Sequence, residues 1–114
     1  MSEQVILAFS SCPDEATARR IATALVTEGL VACANRLNPI QSTYVWDGRL
    51  QEETEVLVIM KTIAATLPAL TARLKQLHPY ELPELVAIPV TGGNEPYLDW
   101  VRGCAINKDK DRHQ

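Results

Sequence analysis

The chain has 114 residues, 46% apolar and 22% charged, with a net charge of −3 and a pI near 5.3. That is enough for one domain with one core, and the acidic balance without a basic stripe argues against a nucleic-acid partner. No apolar run approaches the roughly 20 residues of a transmembrane helix, and three widely spaced cysteines, Cys12, Cys33 and Cys104, encode neither a zinc knuckle nor a disulfide framework.

Met1-Ser-Glu-Gln carries no basic segment, and the apolar run 5–9 is too short for a signal peptide. The expectation is a cytoplasmic protein with reduced thiols and no membrane contact.

In chain order, Val-Ile-Leu-Ala-Phe at 5–9 predicts a short buried strand, ended by Ser10 and Ser11. Pro13 suits the first turn of a helix, with Asp14 and Glu15 at the positive end of its dipole. Ala18, Ile21, Ala22 and Leu25 form one apolar face, and Gly29 is a C′ stop. The second strand opens at 30–34, and Asn38-Pro39 predicts a bend or bulge within it. It resumes over 40–46, and the return arm runs from Arg49 to Lys61, with 56–60 reading as buried on both faces. Thr66 is placed to cap a second helix with Pro68 in its first turn. Leu67, Leu70, Leu74 and Leu77 form its stripe, and His78-Pro79 ends it. A fourth strand covers 85–90, with Pro89 favouring an edge. Asn94 caps a last helix with Pro96 in its first turn and Leu98, Val101 and Ala105 inward. This order is an α+β, ferredoxin-like βαββαβ sandwich with a C-terminal helix, one domain over 1–107, followed by a polar tail at 108–114.

The segment 40–61 is the most informative. Asp47-Gly48 between two strand-like arms calls for a two-residue type I′ turn. Arms over 31–46 and 49–62 would span about 45–50 Å, against a diameter near 35 Å for a compact domain of this size. The hairpin must bend, or project and find a partner chain, which predicts an obligate oligomer. The two-residue turn fixes the pairing: Ile40, Ser42, Tyr44 and Trp46 share a face with Glu55, Glu53, Gln51 and Arg49. Trp46 over Arg49 offers a cation–π contact. The outer half of the arm carries aromatics and carboxylates rather than an apolar face, a composition suited to a subunit interface with a polar rim.

These residues resemble a known family. Ala32-Cys33-Ala34-Asn35, Ser42-x-Tyr44-x-Trp46-x-Gly48, Glu55 and Lys61-Thr62 match the pattern of the divalent-cation tolerance protein CutA family. So do His78-Pro79-Tyr80-Glu81-x-Pro83-Glu84, Pro89-Val90, Tyr97-Leu98-x-Trp100, and Pro13-Asp14-Glu15 before the first helix. The resemblance runs over about residues 4–105. It implies a ferredoxin-like subunit in a homotrimer joined by intersubunit strand pairing. It also implies a role in divalent-cation, especially copper, tolerance, and an architecture like that of PII signalling proteins, which hold small effectors between subunits.

Three kinds of site follow. The first is a divalent-metal site, with Cu²⁺ as the implied ion, for which His78, Cys12 and Glu81 are the candidate ligands. In the enterobacterial pattern the cysteine position falls here on Ser10 and the first histidine on Leu77, so the implied ligand set is incomplete; His78 also suits a helix C-cap. Cys12, read as lying at a helix N-terminus, would have a lowered thiol pKa. The second is an intersubunit pocket or interface built from Cys33, Tyr44, Trp46, Glu55, Lys61, Tyr80, Glu81, Tyr97 and Trp100, with Glu55 and Lys61 on one strand face. The third, catalysis, has no nucleophile–base set, no phosphate loop and no metalloprotease motif to support it, so the expectation is a non-enzyme. Two functions stay open: a homotrimeric copper-tolerance protein that binds metal ions, and a PII-like trimer that binds a small effector or scaffolds another protein.

Overall fold

The computed structural model describes residues 3–106. The elements are β1 (Val5–Cys12), α1 (Glu15–Thr27), β2 (Cys33–Trp46), β3 (Arg49–Ile63), a short 3₁₀ turn (Ala64–Thr66), α2 (Leu67–Leu77), β4 (Val86–Pro89) and α3 (Glu95–Ile106). The four strands form one antiparallel sheet in the order β2-β3-β1-β4. The ferredoxin-like α+β expectation holds, and the tail call at 108–114 lies outside the described residues.

Local chemistry sets most boundaries. Asp47 and Gly48 both have positive φ, 56° and 74°, the left-handed pair a type I′ turn requires. Trp46 faces Arg49, Tyr44 faces Gln51, Ser42 faces Glu53 and Ile40 faces Glu55, and the register slips between Leu37 and Ile40, where Asn38-Pro39 predicts a bulge. Gly29 ends α1 at φ 77°. Pro89 lies on the edge strand.

Four expectations are corrected. Ser10 and Ser11 do not end β1, because both stay in register with Val58 and Leu57; backbone pairing to β3 outweighs the weak strand preference of serine. Pro13 lies outside α1, whose cap is Asp14, its carboxylate accepting from the Thr17 N–H at 2.8 Å. Thr66 makes no side-chain cap, because the 3₁₀ turn already leads into α2 with helical backbone at that residue. The run 56–60 is not buried on both faces: Val56, Val58 and Met60 are buried while Leu57 and Ile59 are half-buried.

That alternation divides the sheet into two faces. On one, Ala8 and Cys12 of β1 and Val56, Val58 and Met60 of β3 pack with Ala18, Ile21 and Leu25 of α1 and Leu70 and Leu74 of α2. On the other, α3 covers one end, where Leu98 and Val101 meet Val5 and Ala32. Leu7, Phe9, Leu57 and Ile59 are half-buried there. Their neighbours in the ladder, Leu37, Val86 and Ile88, are 44%, 55% and 48% exposed. The hairpin runs on past the globule. The radius of gyration is 15.0 Å with extents of 49 × 29 × 22 Å, against about 13 Å for a compact chain of this length. Of the two outcomes the length allows, projection prevails over folding back.

Candidate functional site

Where β1 stops at Cys12, β2 and β3 continue alone, and the loop 79–84 curls into the space beside them. The result is a cleft of about 860 Å³ between the base of the hairpin and that loop. The period of two along β3 puts Glu53 and Glu55 on the same face as Tyr44 and Trp46 of β2, and all four line the cleft. From the other side come Tyr80, Glu81 and Glu84, with Ser11 at the floor.

Hydroxyl groups hold the carboxylates. The Tyr80 hydroxyl donates to Glu55 Oε2 at 2.8 Å, the Tyr44 hydroxyl donates to Glu53, and the Ser11 hydroxyl donates to Glu84 at 3.2 Å. Burial and the Glu55 carboxylate push the Tyr80 phenol well above its ordinary range. The hydrogen bond to Glu53 pushes Tyr44 up to about 12. Both phenols therefore remain protonated donors near neutral pH. Glu55 is only 5% exposed.

His78 anchors the loop. Its Nε2 lies 2.8 Å from the Ser11 carbonyl, which can only accept, so Nε2 carries the hydrogen. Nδ1 then accepts from the Tyr80 N–H at 3.1 Å, and the two rings lie 4.7 Å apart. The residue is the C-cap of α2 through its own N–H, which donates to Leu74, but its ring ties α2 to β1 instead of capping helix carbonyls.

The metal candidates are not gathered. Cys12 is corrected: it ends β1 inside the core rather than opening a helix, and burial raises its thiol to about 11, the opposite of a lowered pKa. Both ring nitrogens of His78 are engaged, and Glu81 is exposed at the cleft. Among the described residues no three of His, Cys, Asp and Glu form a group that could hold a metal ion. The described residues of one chain, as arranged here, do not gather a ligand set for directly held copper.

The pocket candidates fall into two groups. Tyr44, Trp46, Glu55, Tyr80 and Glu81 share the cleft. Lys61 is on the same strand face as Glu55, but six residues along β3 place it about 20 Å away. There Lys61 Nζ donates to Asn35 at 3.0 Å and lies 5.9 Å from the centre of the Tyr97 ring. The Cys33 thiol donates to the same Asn35 oxygen at 3.7 Å, and Tyr97 packs on Trp100 at 5.5 Å. The cation–π contact forms here rather than at Trp46 and Arg49. Sequence reasoning missed Ser11, Glu53 and Glu84 as cleft residues. Glu53 carried a signal, its spacing of two from Glu55; Ser11 carried none once it was read as a strand end.

An antiparallel four-stranded sheet with two helices on one face, an overlong hairpin and a cleft at its base define a ferredoxin-like α+β domain. The family described as CutA1 divalent ion tolerance protein matches residues 6–104, and the chain belongs to that family. The human Protein CutA is 47% identical over 98 residues, 86% of this chain and 55% of that protein, so the chain spans about half of that relative's length. The divalent-cation tolerance protein CutA of Thermus thermophilus is 46% identical over 100 residues, covering 88% of this chain and 95% of that one. The crystal structure of CutA1 from Oryza sativa superposes with a TM-score of 0.88 at 36% identity, covering 90% of this chain and 94% of that one. No helix among the described residues is long and apolar enough to cross a membrane.

Proposed function

We propose that the protein acts in divalent-cation tolerance as a homotrimer that binds a ligand rather than transforming one. The names of its relatives support the tolerance role. The observation that carries the assembly is the uncovered apolar sheet face together with the projecting hairpin. Leu37 on one edge strand and Val86 and Ile88 on the other stand exposed on one face of the sheet, apolar surface that a monomer would have no reason to present to water. Sister chains that cover this face bring the cleft of one subunit toward the Cys33, Lys61, Tyr97 and Trp100 group of the next, an intersubunit pocket of PII-like design.

Copper held directly by His78, Cys12 and Glu81 has less support, because Cys12 would have to leave the core and His78 its two hydrogen-bond partners. Titration calorimetry with Cu²⁺ checks it: binding unchanged in His78→Ala and Cys12→Ser removes direct ligation. The cytoplasm is the proposed compartment, since three widely spaced cysteines, an odd number, encode no disulfide framework; cell fractionation that finds the protein in an oxidising compartment overturns it. The tolerance role is tested in cells lacking the gene and challenged with Cu²⁺. The account expects growth to be restored by the intact chain and not by Ile88→Glu, whose sheet face cannot be covered. Equal growth in all strains contradicts it.

A further inference from the structure

We infer that the cleft at the hairpin base is completed by a second copy of the chain, with Lys61 of the partner subunit set against Glu55. The inference rests on the assembly proposed above and adds the contact that orders its subunits. On the sheet face that α1 and α2 leave uncovered, the period of two along β3 reads Glu53, Glu55, Leu57, Ile59, Lys61. Acid stands at one end, base at the other, and half-buried apolar side chains lie between them.

Neither end is neutralised within its own chain. Glu55 is 5% exposed, and its Oε2 accepts from the Tyr80 hydroxyl at 2.8 Å. That bond orients the carboxylate but brings no positive charge, and a carboxylate has further acceptor sites. At the other end, Lys61 Nζ donates to Asn35 at 3.0 Å and lies 5.9 Å from the centre of the Tyr97 ring, which leaves its ammonium with donors to spare. Among the described residues, no ion pair within one chain includes Glu55 or Lys61. About 20 Å of strand keeps them apart, so they cannot pair with each other inside a subunit. A second copy placed head to tail brings opposite charges together at that contact.

The division of labour follows. Apolar surface around Leu57 and Ile59 supplies the area for association, which is non-directional. The charged ends supply direction, because stacking like ends sets acid against acid or base against base. A head-to-tail contact is heterologous and closes as a ring when its rotation allows. The cleft, about 860 Å³ with Tyr44 and Trp46 on one wall, admits a lysine side chain.

Zero-length cross-linking of the full chain tests this. A carbodiimide condenses a carboxylate with an amine already in contact and leaves no spacer. The expected product is a Glu55–Lys61 amide in the assembled species, found by mass spectrometry of its digest, with no link from Lys61 to Glu52 on the opposite face of the hairpin. Such an amide can form only between chains, given the separation within one. In sedimentation, Glu55→Gln and Lys61→Met each raise the concentration of half-dissociation by about tenfold or more, and the double variant raises it no further than either alone. Salt loosens the unaltered assembly and loosens Lys61→Met less.

An intact trimer that lacks the amide, or in which the two losses add, overturns this contact and leaves the assembly standing. A monomeric unaltered chain overturns the assembly and the contact together. A two-chain mass carrying the amide makes the contact isologous and overturns the head-to-tail order. Should Glu55→Gln fail to fold, the cross-link and the salt response of Lys61→Met decide.

Discussion

The same strands build two unlike faces. On one, Cys12, Val56, Val58 and Met60 meet two helices and are almost wholly withdrawn from water; on the other, Leu37, Val86 and Ile88 stay about half exposed and α3 shelters one end only. Strand propensity does not separate them, since both are rich in Val, Ile and Leu. The difference lies in which positions find a covering layer within the chain. The finished face is the core on which the chain folds, and the unfinished face is the one that the proposed assembly would cover.

The largest expected effect sharpens that contrast. Met60→Ala and Leu25→Ala remove side chains from the finished face, each costing about 2–5 kcal/mol, read by urea unfolding at one fixed protein concentration because assembly adds to apparent stability. A cost near zero would mean that the helix-covered face is not the core. Next comes Ile88→Glu on the unfinished face: the account expects dissociation in sedimentation with the far-UV circular dichroism of the subunit retained. Global unfolding would show that the two faces are not separable.

His78 sits between the two regions, tying the end of α2 to β1 and the loop at the cleft. His78→Ala leaves the buried Ser11 carbonyl without its donor and costs about 1–3 kcal/mol. A change within error in urea unfolding would make the tie dispensable.

The smallest effect is at Asp14. Its folded pKa is lowered, first by its hydrogen bond from the Thr17 backbone. Its contribution to stability is therefore present above the unfolded value of about 3.9 and is lost as pH falls through the folded one. Asp14→Asn keeps a cap without a titrating group, so acid unfolding in that range should flatten. An unchanged acid limb would place the titration elsewhere.

Much of the fold was legible because a few residues have few options. Asp47-Gly48 admits essentially one tight turn, which sets the pairing of the whole arm, and Gly29 and Asn38-Pro39 mark an end and a slip with equal economy. What misled were residues whose local preference is weak. Ser10 and Ser11 read as a stop, but the β3 ladder keeps them in the strand, and that single misreading also put Cys12 at a helix start when it lies in the core. Thr66 has capping chemistry, yet the preceding 3₁₀ turn leaves it no such role. At the site, Tyr44, Trp46 and Glu55 were accessible through the hairpin's alternation. The approach of Tyr80, Glu81 and Glu84 depends on how a loop crosses the end of a neighbouring strand, and no periodicity encodes that. The sequence grouped Lys61 with Glu55 because they share a face, but distance along the strand separates them within one chain.

Sedimentation velocity of the purified chain at micromolar concentration tests the central claim most directly. The account predicts one species with three times the mass of the subunit. A well-folded single subunit, with its apolar sheet face and hairpin open to water, would contradict it.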